Sequence, residues 1–162
     1  MSERDLEYAW FFRAEFPSVL RSAFLILRDR GRAEEIAQEA FTQLYTHWRK
    51  VSRYERPEAW VRRVAIRLAV RDLKRERIRV FRERAGDPPP PAGDVDPDLI
   101  EAMKGLSATQ RAVIVLYYFE DRPTAEITEI LGMSQSTVRV HLSRGRRNLA
   151  ERLREEVGDD VG

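Results

Sequence analysis

Residues 86–98 read Gly-Asp-Pro-Pro-Pro-Pro-Ala-Gly-Asp-Val-Asp-Pro-Asp, and this segment restricts the folding of the chain more than any other. Consecutive prolines lack amide donors and fix the backbone near polyproline II, so neither a helix nor a central strand runs through them. The chain of 162 residues is thereby divided into residues 1–85 and 99–162, joined by an acidic, proline-rich linker. In extended form, at about 3.1 Å per residue, the linker spans on the order of 40 Å.

Both flanking segments carry the 3.6-residue period of amphipathic helices, and strand patterns are nearly absent. In the first, Tyr8-Ala-Trp-Phe-Phe-Arg-Ala-Glu-Phe16 and, after Pro17, Val19 to Leu27 predict two helices that are mostly core. A third runs from about Arg32 to Trp48, with Ile36, Ala37, Ala40, Phe41, Leu44 and Trp48 on one side and Glu35, Gln38, Glu39, Thr42 and Thr46 on the other. A fourth opens at Pro57, a favoured first helical residue, and continues towards Arg84. In the second segment Ser107-Ala-Thr-Gln110 has the form of a capping box before Val113, Ile114, Leu116, Tyr117 and Phe119. The expected fold is all-α, with two small helical domains.

Thr124 to Leu149 reads as helix, turn through Gly132, and helix, which is the pattern of a DNA-reading helix-turn-helix. Pro123 opens the first helix, which supplies Ile127, Ile130 and Leu131, and Ser134 stands where it caps the second. The period sorts that second helix into an apolar side of Val138, Leu142, Gly145, Leu149 and Leu153 and an outer side of Ser136, Arg139, Val140, Ser143, Arg144 and Arg147. A merely solvated face mixes in acids, yet none occurs between Glu129 and Glu151, while Arg139, Arg144, Arg146 and Arg147 all fall in that window.

A net charge of +2 conceals segregation: residues 1–86 hold 20 Lys/Arg against 13 Asp/Glu, while residues 87–105 hold one lysine against five acids. Between Arg53 and Arg84 twelve basic residues face five acids, an excess that attracts a phosphate backbone. On the fourth helix Val61, Val64, Ala65, Leu68 and Ala69 form the apolar stripe; Arg63, Arg67, Arg71, Lys74 and Arg77 cluster on the opposite arc, with Trp60 beside them. A ring among cations suits single-stranded nucleic acid, on whose bases it can stack; a capping role at the edge of the core is the alternative for Trp60.

In order and spacing these segments resemble the extracytoplasmic-function (ECF) group of sigma-70 family bacterial transcription initiation factors. Ala33-Glu-Glu-Ile-Ala-Gln-Glu-Ala-Phe41 resembles the region 2 pattern Ala-Glu-Asp-Leu, any residue, Gln-Glu, any residue, Phe. Arg56-Pro-Glu-Ala-Trp-Val-Arg-Arg-Val-Ala65 is similar to the part that follows, the linker stands where the family has its connector, and residues 106–153 look like region 4. The resemblance implies a factor that binds core RNA polymerase and promoter DNA, double-stranded at the minus-35 element and single-stranded at the minus-10 element. It implies that Glu35, Gln38 and Glu39 face the polymerase and that Arg53, Tyr54, Trp60, Arg63, Arg67 and their neighbours lie near the minus-10 strand. Arg139, Val140, Ser143 and Arg144 stand where family members touch the minus-35 element. Ser136, Arg146 and Arg147 suit phosphates, with Thr137 beside them. An anti-sigma protein is a further partner that the resemblance admits.

The chain departs from the family where Ile66-Arg67-Leu68-Ala69-Val70-Arg71 replaces an asparagine and an aspartate by arginines, and where Pro123 and Ser136 stand for the usual serine and glycine. With no cysteine and only His47 and His141, a thiol switch or a Cys/His zinc site is excluded. No paired-carboxylate metal motif, phosphate loop or nucleophile elbow occurs, so neither an enzyme, a cofactor nor a small-molecule substrate is expected. No apolar run approaches the roughly 20 residues of a membrane span, and Met1-Ser-Glu-Arg-Asp5 lacks a signal-peptide pattern, so a cytoplasmic protein without membrane insertion is expected. The competing reading is a stand-alone helix-turn-helix regulator whose first domain senses a ligand or dimerises.

Overall fold

The structure is a computed structural model that describes residues 1–76 and 96–160. Residues 86–95 of the expected linker, the expected continuation of the fourth helix to Arg84, and Arg77 with it, lie outside the described residues. The chain divides into two compact units, Met1–Gly93 and Asp94–Gly162, and the described elements of both are helical.

The first unit contains α1 (Glu3–Leu27), α2 (Arg30–Thr46), the short α3 (Trp48–Val51) and α4 (Pro57–Glu76). Ser2 and Asp5 form a capping box at the start of α1, the Ser2 hydroxyl accepting from the Asp5 amide at 3.2 Å and the Asp5 carboxylate from the Ser2 amide at 3.1 Å. The two helices expected around Pro17 are one, because α1 continues through the proline. An interior proline costs about 3 kcal/mol, but burying a large apolar side chain contributes about 1.5–3 kcal/mol. Val19, Leu20, Ala23, Phe24, Ile26 and Leu27 beyond Pro17 are buried, and Phe12 and Phe16 before it pack on Phe41. Tertiary packing therefore prevails over local propensity. The left-handed Arg28 (φ 59°) ends α1, and Asp29 caps α2 by accepting from the Arg32 amide at 3.1 Å.

Ala33, Ala37, Ala40, Phe41 and Leu44 of α2 are buried as the period requires. The expected third helix breaks at His47, so Trp48 enters the core from α3, its ring 5.2 Å from Phe11 and 5.6 Å from Tyr8. The Tyr8 hydroxyl donates to the Phe41 carbonyl at 2.7 Å. Val61, Ala65, Ile66, Ala69 and Val70 of α4 complete the core. Two ion pairs seat α4 on its neighbours: Arg32 donates to Asp72 from Nε and Nη2 at 2.8 and 2.5 Å, and Arg62 meets Glu15 at 3.2 Å and Ser18 at 2.9 Å.

The second unit adds α5 (Pro97–Met103), α6 (Ala108–Ile114), a π-helical turn (Val115–Phe119), α7 (Thr124–Leu131) and α8 (Gln135–Asp160). Helix α5 begins inside the stretch read as linker, with Asp96 capping it and Pro97 in its first turn, and it buries Ala102 and Met103. The Ser107–Gln110 capping box forms at α6. The run after it changes pitch: the Glu120 amide bonds back five residues to the Val115 carbonyl at 3.0 Å, and Asp121 turns left-handed at φ 51°. No described helix is long and apolar enough to cross a membrane.

Candidate nucleic-acid interface

Helix α8 is held at its start, along its inner side and at one flank. Gly132 ends α7 in the left-handed region (φ 64°), and its amide and that of Met133 both bond to the Thr128 carbonyl, at 2.9 and 3.3 Å. The Ser134 hydroxyl then accepts from the Thr137 amide at 3.2 Å and contacts the Thr137 and Ser136 hydroxyls at 2.8 and 3.1 Å. Along the inner side, Val138 and Leu142 are buried. Gly145 lets α6 come close: a Cβ placed there would lie 2.9 Å from Ile114 Cγ1 and 3.2 Å from Cδ1.

The outer side is what that anchoring presents. Ser136, Thr137, Arg139, Val140, Ser143, Arg144 and Arg147 are all exposed, and Arg139, Val140, Ser143, Arg144 and Arg147 line one shallow groove. Val140, 44% exposed, is an apolar side chain placed among three arginines. Arginine forks and a methyl-bearing side chain on one capped helix can read guanine edges and a thymine methyl in a major groove. His141 sits to the side, half-buried, its Nδ1 enclosed without a hydrogen-bond partner, as suits a packing role.

Arg146 is exposed as expected of a phosphate contact, but its surroundings are not those of a solvated side chain. Its Nε donates to the Tyr118 hydroxyl, and its guanidinium lies 5.2 Å from the Tyr117 ring centre and 5.4 Å from that of Tyr118. The Tyr118 hydrogen bond raises the guanidinium pKa, against a smaller opposing effect of burial. Sequence reasoning placed Tyr117 in the core; it is half-buried, and Tyr118, which that reasoning passed over, is 50% exposed.

In the first unit, Arg53 and Tyr54 are exposed in the turn after α3, and Arg67, Arg71 and Lys74 are exposed on α4. The helical register puts Trp60 and Arg63, both half-buried, on that same arc. Trp60 leans on His47, ring centres 5.6 Å apart, so one face of its indole is backed by protein. Arg62 belongs to the opposite side of α4, engaged with Glu15, and Asp72 is turned to Arg32. The plain count of charges therefore misstated what the outward arc carries. Glu35, Gln38 and Glu39 are exposed on α2, opposite its buried alanines, with Gln43 donating to Glu39 at 3.2 Å.

Comparison with known families matches residues 11–79 to sigma-70 region 2 and residues 97–149 to sigma-70 region 4. The chain is 30% identical over 157 residues to the RNA polymerase sigma-E factor of Streptomyces coelicolor, covering 94% of this chain and 86% of that protein. It is 31% identical over 165 residues to the ECF RNA polymerase sigma factor SigK of Mycobacterium ulcerans, covering 90% and 86%. A probable RNA polymerase sigma factor, RfaY of Xanthomonas campestris, is 28% identical; the match covers 84% of this chain but only 38% of that longer protein. Among solved structures, the co-crystal structure of the sigma factor RpoE in complex with the anti-sigma factor NepR from Bartonella quintana has a similar fold. Its TM-score is 0.65 at 22% identity, covering 91% of this chain and 97% of that one.

Proposed function

Because this chain belongs to the sigma-70 family of RNA polymerase sigma factors, we propose that it joins core RNA polymerase in the cytoplasm and directs it to promoters, the second unit reading the minus-35 element and the first opening the minus-10 element. Sigma factors are not enzymes, so the chain's contribution is selection and positioning. The observation that carries the reading is the outer side of α8 ahead of Glu151, free of acids, where Arg139, Val140, Ser143, Arg144 and Arg147 share one groove on a helix capped and packed behind them.

On this reading α8 enters the major groove. Arg139 and Arg144 fork onto guanines, each good pair discriminating by about 1–3 kcal/mol, and Val140 meets a thymine methyl. Ser136, Thr137, Arg146 and Arg147 hold phosphates and set the register. In the first unit Trp60, backed by His47, offers its free face to an unstacked base. Arg53, Tyr54, Arg63, Arg67, Arg71, Lys74 and Arg77 track that strand's backbone. The exposed Glu35, Gln38 and Glu39 of α2 bind the polymerase. The solved relative is held by an anti-sigma factor, and a partner of that kind is proposed here too. The ligand-sensing alternative gains no support, since the interior of the first unit is filled by Phe24, Phe41, Leu44 and Trp48.

The test adds the purified chain to bacterial core RNA polymerase with a promoter library. Specific starts that core alone does not make are expected. Selection of a duplex site by the chain alone, with no binding to core, would instead restore the stand-alone regulator.

A further inference from the structure

The π-helical turn over Val115–Phe119 places two consecutive tyrosines against α8, and such one-turn π segments are frequent at functional sites. Regular α-helix through this run would rotate the side chains after it by about 100° around the axis and Tyr118, within it, by part of that, turning it from its place against Arg146. What the turn secures is a guanidinium gripped at Nε by the Tyr118 hydroxyl and lying 5.2 and 5.4 Å from the centres of two rings set edge to face. Arg146 follows Arg139 by one heptad, about 20° from it around the helix, so it flanks the groove on the side where α6 and the π turn pack. Among the described residues its charge rests on tyrosines and not on a carboxylate. The Tyr118 hydroxyl occupies the Nε donor and Tyr117 adds a weaker hydrogen-bonding contact, while the Arg146 side chain stays exposed and Tyr118 itself is half exposed.

Resting on the reading that α8 docks in the minus-35 major groove, we infer that Tyr118 is a positioning residue for DNA: its hydroxyl and ring hold Arg146 edge-outward to meet a phosphate at the rim of that groove. A free arginine side chain forfeits up to about 2 kcal/mol of rotamer freedom when it is fixed on a phosphate. One already hydrogen-bonded and lying against two rings forfeits less. Tyr118 thus strengthens a phosphate contact without carrying charge or touching DNA, and this separates it from a residue that only stabilises the packing of α6 on α8.

The experiment uses holoenzyme made with the full chain and the minus-35 duplex that this holoenzyme recovers from a random-sequence library, with affinity measured across a range of salt concentrations. Tyr118→Phe is expected to weaken binding about three- to ten-fold at every salt, part of the rotamer freedom that Arg146 must then give up on binding, with the salt slope unchanged. Arg146→Ala is expected to weaken binding and to reduce the slope by about one. Arg146→Lys, which keeps the charge without the Nε donor or the planar guanidinium, is expected to keep the slope and lose affinity as Tyr118→Phe does. Adding Tyr118→Phe to Arg146→Ala should change nothing further. Full affinity in Tyr118→Phe, an unaltered slope in Arg146→Ala, or additive losses in the double variant overturns the inference. If no minus-35 element is recovered, or Arg144→Ala binds like the parent, the docking reading fails and takes the inference with it.

Discussion

Replacing Gly145 by alanine sets two effects of known size against each other. In a helix interior alanine is favoured over glycine by about 1 kcal/mol. At this position the added methyl group would stand 2.9 Å from Ile114 Cγ1 and 3.2 Å from Cδ1, inside ordinary contact distance, and Ile114, only 1% exposed, cannot relieve the contact by swinging into solvent. Forcing Ile114 off its rotamer or moving α8 away from α6 costs about 1–3 kcal/mol, so Gly145→Ala is expected to destabilise the second unit by about 1 kcal/mol. With Ile114→Ala in the background the clashing atoms are gone, the propensity gain remains, and the methyl group fills part of the vacated space. The same substitution then stabilises, again by about 1 kcal/mol, which is a coupling of about 2 kcal/mol. Native-state hydrogen exchange at the α8 amides of the full chain reads this unit by itself. Because Ile114→Ala alone costs about 2–5 kcal/mol, all four proteins are compared in sucrose. An effect of Gly145→Ala with one sign and one size in both backgrounds refutes the close approach of α6 and α8.

Arg144→Ala is expected to lower transcription about ten-fold from promoters that keep the preferred minus-35 sequence, the lower part of the range for one bidentate base contact; an equal loss on promoters lacking that sequence would show that no base is read. At Gly132 the surroundings of a Cβ are open and only the positive φ matters, so Gly132→Ala should cost about 1–2 kcal/mol and Gly132→Asn less. Identical exchange rates in these two variants would mean that the left-handed turn is not the constraint. Burial raises the Tyr8 phenol above its ordinary value of 10.0, so its contribution is complete below pH 10 and is lost as pH rises through the folded value. Tyr8→Phe should therefore cost about 1 kcal/mol at neutral pH, the bond to the Phe41 carbonyl, and should shallow the alkaline loss of stability. Part of that loss remains, because the Asp5 hydrogen bond raises Tyr45 as well. Tryptophan fluorescence during urea unfolding measures this for the first unit alone, which holds Trp10, Trp48 and Trp60.

What was legible in the sequence is what short-range chemistry decides. The capping box at Ser107, the cap at Ser134, the turn at Gly132 and the two sides of α8 each follow from residues within one or two helical turns, and the structure has them. The continuity of α1 through Pro17 was not legible, because the packing that outweighs the proline comes from Phe41 and the rest of α2 and α4, distant in sequence. Helix α5 was hidden by its own start: Asp96 and Pro97 are as much a turn signal as a cap and first helical residue, and Ala102 and Met103 decide the matter only once α8 is there to bury them. The π turn has no signature in a run of Val, Leu, Tyr and Phe. Without it Tyr118 had no visible partner, and Arg146 looked like any other surface arginine.

The inward turn of Asp72 has a kinetic consequence. Asp72 lies between Arg71 and Lys74 in sequence, yet its carboxylate is spent on Arg32 and so does not interrupt the outward arc of α4. Charges of one sign along a helix add their fields, and at physiological ionic strength the sum reaches about 8 Å into solvent before ions shroud it. A polyanion passing within that distance is drawn in before any contact forms. The ion pair that seats α4 in the core thereby also governs how often diffusing partners are captured, and the arrival rate, more than the residence time, is what its loss would change.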